Sequence, residues 1–146
     1  MCGDRDRLKQ VILNLVSNAI KYTGDDGDIK LSLGKENGMA FLAVADNGPG
    51  IHPNDLEKIF ERFYRAEKSR KKFVDFDHRG YGLGLSIAYW IVLRHKGTLE
   101  VDTEYGHGAT FTVWLPLRNE AVNCNAEIRE SDPNVDVLER TGLHPR

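Results

Sequence analysis

Asn14, Asn18 and Lys21 fall at i, i+4 and i+7 within a run of helical apolar spacing. At about 100° per residue they form one narrow stripe, away from the apolar face. Exposed helix faces favour Glu, Lys or Arg, and Asn is a mediocre helix former. Two amides with a cation one turn on suit a metal-bridged polyphosphate. An amide oxygen can complete magnesium's octahedron beside phosphate oxygens and water, and Lys21 would meet phosphate charge. On this helix alone, a plain solvated face is the competing explanation.

A second constellation, Asp46-Asn47-Gly48-Pro49-Gly50-Ile51, directly follows an apolar run. An ionised Asp only accepts hydrogen bonds, which suits an exocyclic amino group such as adenine's. The glycines allow close approach of backbone, although a turn of this composition needs no function. A third, Gly80-Tyr81-Gly82-Leu83-Gly84-Leu85-Ser86, leads into another helical run. Glycines there let main-chain amides crowd an anion at a helix N-terminus. Ile87 breaks the dinucleotide fingerprint, and no P-loop pattern occurs in the chain. Between these lies Ile59-Phe60-Glu61-Arg62-Phe63-Tyr64-Arg65, whose phenylalanines suit packing and whose arginines suit a terminal phosphate or plain surface.

The elements that must position these residues are legible from spacing. Leu8, Val11, Ile12, Leu15, Val16 and Ala19 trace one face of a helix over residues 4–22, with Asp4 or Asp6 as cap. Strand-like runs at 29–33 and 40–45 flank Asn37-Gly38, a hairpin signal. A short helix is predicted over 54–60, a long polar loop over 64–82, and a second long helix over 83–96. Alternation at 98–103 and 109–115 predicts a second strand pair. This order predicts an α+β fold: a two-layer α/β sandwich with a mixed, mostly antiparallel sheet covered on one face by helices.

Composition narrows the classes. With 146 residues, 40% hydrophobic and 29% charged, the chain suits one globular domain. Lys plus Arg number 20 against 22 Asp plus Glu, so no global charge favours nucleic acid. Lys68, Arg70, Lys71 and Lys72 form a local basic run, but no aromatic platform accompanies it. No run approaches the ~18 apolar residues of a membrane span, and Cys2 and Cys124 lack metal-ligand spacing. Residues 1–117 hold 16 basic and 16 acidic residues and form the expected domain. Residues 118–146 hold 4 and 6, show no sustained apolar period, and are expected to be a mobile tail with a short helix near 135–138 as an option.

Taken in order, these motifs resemble the catalytic and ATP-binding domain of bacterial sensor histidine kinases, within the GHKL ATPase superfamily. The N box is matched by residues 8–23, ending Asn14-Leu15-Val16-Ser17-Asn18-Ala19-Ile20-Lys21-Tyr22-Thr23. The two glycine boxes are the segments 46–51 and 80–86, and the F box is Phe60-Glu61-Arg62-Phe63-Tyr64-Arg65. A closing Gly106-His107-Gly108-Ala109-Thr110-Phe111 and a strand ending Leu115-Pro116 also fit. The resemblance covers residues 4–117.

The resemblance implies an enzyme that binds ATP with Mg²⁺ and donates the γ-phosphoryl group to a histidine on a separate dimerisation domain. Asn18 would coordinate magnesium, Asn14 would line the phosphate side, Lys21 would contact phosphate, and Tyr22 would pack near the nucleotide. Asp46 would bond the adenine amino group, with Thr110 supporting it directly or through water. Gly48 and Gly50 would admit the base, and Gly80, Gly82 and Gly84 would flank the triphosphate. Ile51, Leu83 and Leu85 join this nucleotide-binding set, and Arg65 is preferred to Arg62 as the phosphate contact. The segment 64–82 would be a lid over ATP. A response regulator is the implied downstream partner, and a cytoplasmic setting follows, with any membrane anchor lying elsewhere in the full-length protein. His52, His78, His95, His107 and His144 lie in expected loops, at a helix end or in the tail, so none reads as the acceptor. Gyrase-type and chaperone relatives carry Glu four residues before the magnesium Asn. Here that position is Asn14, which argues against hydrolysis as the main task. A non-catalytic nucleotide-sensing module is the remaining alternative.

Overall fold

The computed structural model describes residues 3–64, 83–117 and 143–145. The chain opens with α1 (Arg5–Thr23), capped by Asp4, whose carboxylate accepts from the backbone N–H groups of Asp6 and Arg7 at 3.0 and 3.1 Å. That cap satisfies two donors a helix start otherwise leaves open. Strands β1 (Ile29–Glu36) and β2 (Met39–Asp46) form an antiparallel hairpin. Asn37 and Gly38 both take positive φ, 50° and 75°, the backbone a tight two-residue turn requires. Because that turn is so short, pairing runs up to it on both sides, and both strands are longer than predicted.

The short helix α2 (Pro53–Leu56) ends earlier than expected. Beyond it, Lys58 and Glu61 donate to carbonyls three residues back, so tight turns carry the chain to Phe60. There Phe60 stacks on Tyr89 with ring centroids 4.9 Å apart. Helix α3 (Gly84–Arg94) is followed by β3 (Thr98–Glu104) and β4 (Gly108–Pro116). Residues Leu143–Pro145 form a three-residue strand, β5, parallel to β3. The structure differs here from the expected tail. Three residues are too few to show a period, and their strand state is set by a partner 42 positions away. Residues 118–142, including the optional helix at 135–138, lie outside the described residues, as does 65–82 of the expected lid loop.

The sheet order is β1-β2-β4-β3-β5, antiparallel except for the last pair. Helices α1 and α3 pack beside each other on one face, as the predicted two-layer arrangement requires. Directly opposed residues of antiparallel strands share a face, so three rows cross β2, β4 and β3 beneath the helices. Leu42, Val113 and Leu99 form one row, and Val44, Phe111 and Val101 form the next. Val11, Leu15 and Ala19 of α1 and Ala88, Ile91 and Val92 of α3 close the core over them. The third row, at the end of the sheet, is Asp46, Ala109 and Thr103. Polar groups enter the inner layer at that end, and the candidate site is built there.

Candidate functional site

Helix α1 runs along the site. Asn14 is half-buried near the start of α3: a Cβ added at Gly84 would lie 3.9 Å from its side-chain carbonyl group. Its Nδ2 is buried and has no hydrogen-bond partner among the described residues. A buried amide donor left in this state is costly unless something supplies an acceptor. Asn18, Lys21 and Tyr22 are half-buried too, with the Lys21 ammonium 5.2 Å from the Tyr22 ring centroid. The stripe therefore borders the core instead of lying away from the apolar face, as its angular spacing alone suggested. The packing of α3 against α1 is what covers its flank.

The C-terminal end of α1 meets the loop after β2. A Cβ at Gly48 would come within 3.0 Å of the Tyr22 carbonyl oxygen and 2.9 Å of Asp46 Oδ1. A larger residue there would crowd both atoms. The backbone N–H of Gly48 donates to Asp46 Oδ1 at 2.9 Å, and the backbone N–H of Ala109 also bonds the carboxylate. Burial pushes the Asp46 carboxyl above its ordinary value, and these two donors pull it partly back. Asn47 ties the loop to the start of β1: its N–H donates to the Asp28 carbonyl, and its Oδ1 accepts from the Asp28 N–H at 2.8 Å.

The loop is also fastened to the β3–β4 turn. Gly106 N–H donates to the Pro49 carbonyl at 2.7 Å. Gly50, at φ 67°, lies so close to Glu104 that an added Cβ would sit 2.3 Å from that residue's carbonyl oxygen. Thr103 Oγ1 accepts from the Ile51 N–H at 3.0 Å and donates to the Gly108 carbonyl at 2.9 Å. Thr103 was not among the residues singled out by sequence. The available signal was a polar residue at a position where the inward register, after Leu99 and Val101, calls for an apolar one.

Gly84 opens α3, and the residue before it, Leu83, offers no side-chain cap. Among the described residues no side chain caps the first amides of this helix, and such amides suit an anion. Ile51 and Leu85 are partly buried and pack against the core, so they shape the walls of the site from behind. Thr110 requires a correction. It is the register partner of Ala45 and Asp102, so its side chain leaves the sheet on the face opposite Asp46. The residue on the Asp46 face is Ala109. Arg65, Gly80 and Gly82 lie outside the described residues.

Thus α1 presents an orphaned amide near the start of α3 at Asn14 and a backbone contact to the Asp46 loop at Tyr22. They lie eight positions apart on the helix, ~12 Å at the usual rise. Among the described residues no cluster of three or more His, Cys, Asp or Glu could hold a metal. No helix among them is long and apolar enough to cross a membrane.

Comparison with known proteins gives the same picture. Residues 3–119 match the family model described as histidine kinase-, DNA gyrase B- and HSP90-like ATPase. The sensor histidine kinase RppB of Synechocystis is 40% identical over 115 residues, covering 79% of this chain and 24% of RppB. The signal transduction histidine-protein kinase BaeS of Escherichia coli is 40% identical over 118 residues, covering 81% and 24%. The chain thus spans about a quarter of the length of these curated relatives. Among solved structures, the mycobacterial sensor histidine kinase MprB superposes with a TM-score of 0.66 at 33% identity, covering 78% of this chain and 74% of that one. Full-length ShkA in complex with AMPPNP gives 0.63 at 33% identity, covering 75% and 21%. With the ordered motifs, the sheet and the matched residues in agreement, the chain belongs to the histidine kinase-, DNA gyrase B- and HSP90-like ATPase family, as a catalytic domain of the sensor histidine kinase type.

Proposed function

We propose that this chain holds ATP along α1 and presents its γ-phosphoryl group to a histidine on a separate dimerisation domain. The base lies at the Asp46 end and the phosphates at the Asn14 and Gly84 end. The observation that carries this reading is Asn14 Nδ2, a buried donor with no described partner beside the helix start that suits an anion. A phosphate oxygen satisfies that donor. Asp46 accepts from the adenine amino group, Gly48 leaves room for the base, and Lys21 offsets phosphate charge. Tyr22 borders the base end of the site. Arg65 with Gly80 and Gly82 completes the phosphate side in this reading.

Magnesium fits the donor set, because it binds through few protein oxygens together with phosphates and water. Asn18 Oδ1 is the group that would hold it, and the ion when bound neutralises charge on the phosphates. What the chain itself supplies is position and a fixed electrostatic surround, which carries most of the catalysis in phosphoryl transfer. An amide at position 14 does not take a proton from water, so transfer to a supplied nucleophile is favoured over hydrolysis. In the full-length protein a response regulator would receive the phosphoryl group, on the cytoplasmic side of any membrane anchor.

A magnetic-resonance titration with a non-hydrolysable ATP analogue and magnesium tests the placement. The Asn14 side-chain amide, the backbone amides of 46–51 and those of Gly84, Leu85 and Ser86 should shift together. Shifts confined to other surfaces would overturn it.

A further inference from the structure

Thr103 closes the inner face of β3 after Leu99 and Val101, where the pattern calls for a third apolar residue. It is 4% exposed, and its hydroxyl both accepts and donates. One lone pair accepts from the Ile51 N–H at 3.0 Å, and its proton goes to the Gly108 carbonyl at 2.9 Å. With one donor and one acceptor bond made in opposite senses, the hydroxyl has a fixed orientation. Those two partners are the far end of the Asp46 loop and the start of β4. Gly108 in turn presses on Asp46: a Cβ there would lie 2.1 Å from the Asp46 carbonyl oxygen. Ala109, next along, bonds the Asp46 carboxylate through its N–H.

We propose that Thr103 is a positioning residue for base recognition. Its hydroxyl sets the spacing between the 46–51 loop and β4, and through that spacing the aim of the Asp46 carboxylate. The proposal rests on the reading that Asp46 accepts from the adenine amino group. Valine at 103 keeps the shape and strand preference but strands the Ile51 N–H and the Gly108 carbonyl. The Gly106 to Pro49 bond remains as a separate tie, so the loop stays attached while its register against β4 loosens.

The test is calorimetric titration of the 146-residue chain with ADP and with inosine diphosphate, whose base carries a carbonyl in place of the amino group. The unaltered chain should prefer ADP by about tenfold or more, as a charge-assisted bond to Asp46 requires. No preference would overturn the reading of Asp46 and the proposal with it. Given that preference, T103V should weaken ADP binding by about tenfold and inosine diphosphate binding much less, shrinking the ratio. T103S, which keeps the hydroxyl, should restore it. A general loss of structure would weaken both ligands equally and would overturn the proposal, as would a T103V ratio equal to that of the unaltered chain. Amide exchange in the unaltered chain is the check independent of folding: the Ile51 N–H must be protected, and exchange at the rate of a free amide would overturn the proposal.

Discussion

Asp46 and Ala109 are register partners on β2 and β4, and their side chains leave the same face of the sheet. The Ala109 N–H reaches the Asp46 carboxylate, while the side chain beside it is only a methyl group. Thr110, one residue on, points to the opposite face, where it is half-buried between Ala45 and Asp102. The hydroxyl expected to support Asp46 is therefore on the wrong side of the sheet.

Thr110→Val should accordingly leave ADP affinity unchanged, within about twofold. Valine suits a strand at least as well as threonine, so stability should also stay within about 0.5 kcal/mol. Calorimetry and a denaturant titration check both. A loss of affinity comparable to that from altering Asp46 would return Thr110 to the site.

Asp46 should give opposite pH trends in binding and stability. Its carboxyl is raised by burial, so the folded state favours the neutral form. Its contribution to stability is present below the unfolded value and is lost as pH rises through the folded one. Nucleotide affinity should move the other way, rising over the same range as the carboxylate forms and can accept from the base. Asp46→Asn should abolish this pH dependence of affinity and weaken ADP binding by about 1.5–3 kcal/mol, since an amide cannot accept on both sides. Calorimetry across acidic pH values, with ADP in both proteins, checks it.

Asn18→Ala should weaken ATP binding in the presence of magnesium more than in its absence. Alanine is the better helix former, so a loss cannot be attributed to fraying of α1. Paired titrations with magnesium and with a chelator give the comparison. Equal losses in both would mean that Asn18 shapes the helix and binds no ion.

Local chemistry made much of this molecule legible in advance, and long-range pairing accounts for what was not. Asp4 before an apolar helical run, and Asn37-Gly38 between two alternating runs, announce a cap and a turn through backbone preferences that act over a few residues. Asp46 stood out because an acceptor-only carboxylate ends an apolar run beside glycines that allow close approach. Thr103 did not, because threonine is an ordinary strand residue and its hydroxyl gains meaning only when Ile51 and Gly108 arrive from elsewhere. Thr110 misled for the same reason. Which face a strand residue takes is decided by register, and a one-residue difference reverses it. Strand β5 depends wholly on its distant partner β3.

Radiolabel transfer reads phosphoryl transfer to a supplied histidine at the level of the bond formed. The chain is incubated with magnesium and γ-labelled ATP, with and without the histidine-bearing dimerisation domain of its cognate kinase. A fixed nucleophile in line with the γ-phosphate can be worth ~7–11 kcal/mol at best, whereas free water gains none of this from Asn14. An acid-labile, base-stable label should appear on the partner, and the chain alone should release free phosphate very slowly. Rapid phosphate release without the partner, and no label with it, would contradict transfer to histidine and make the chain a hydrolase.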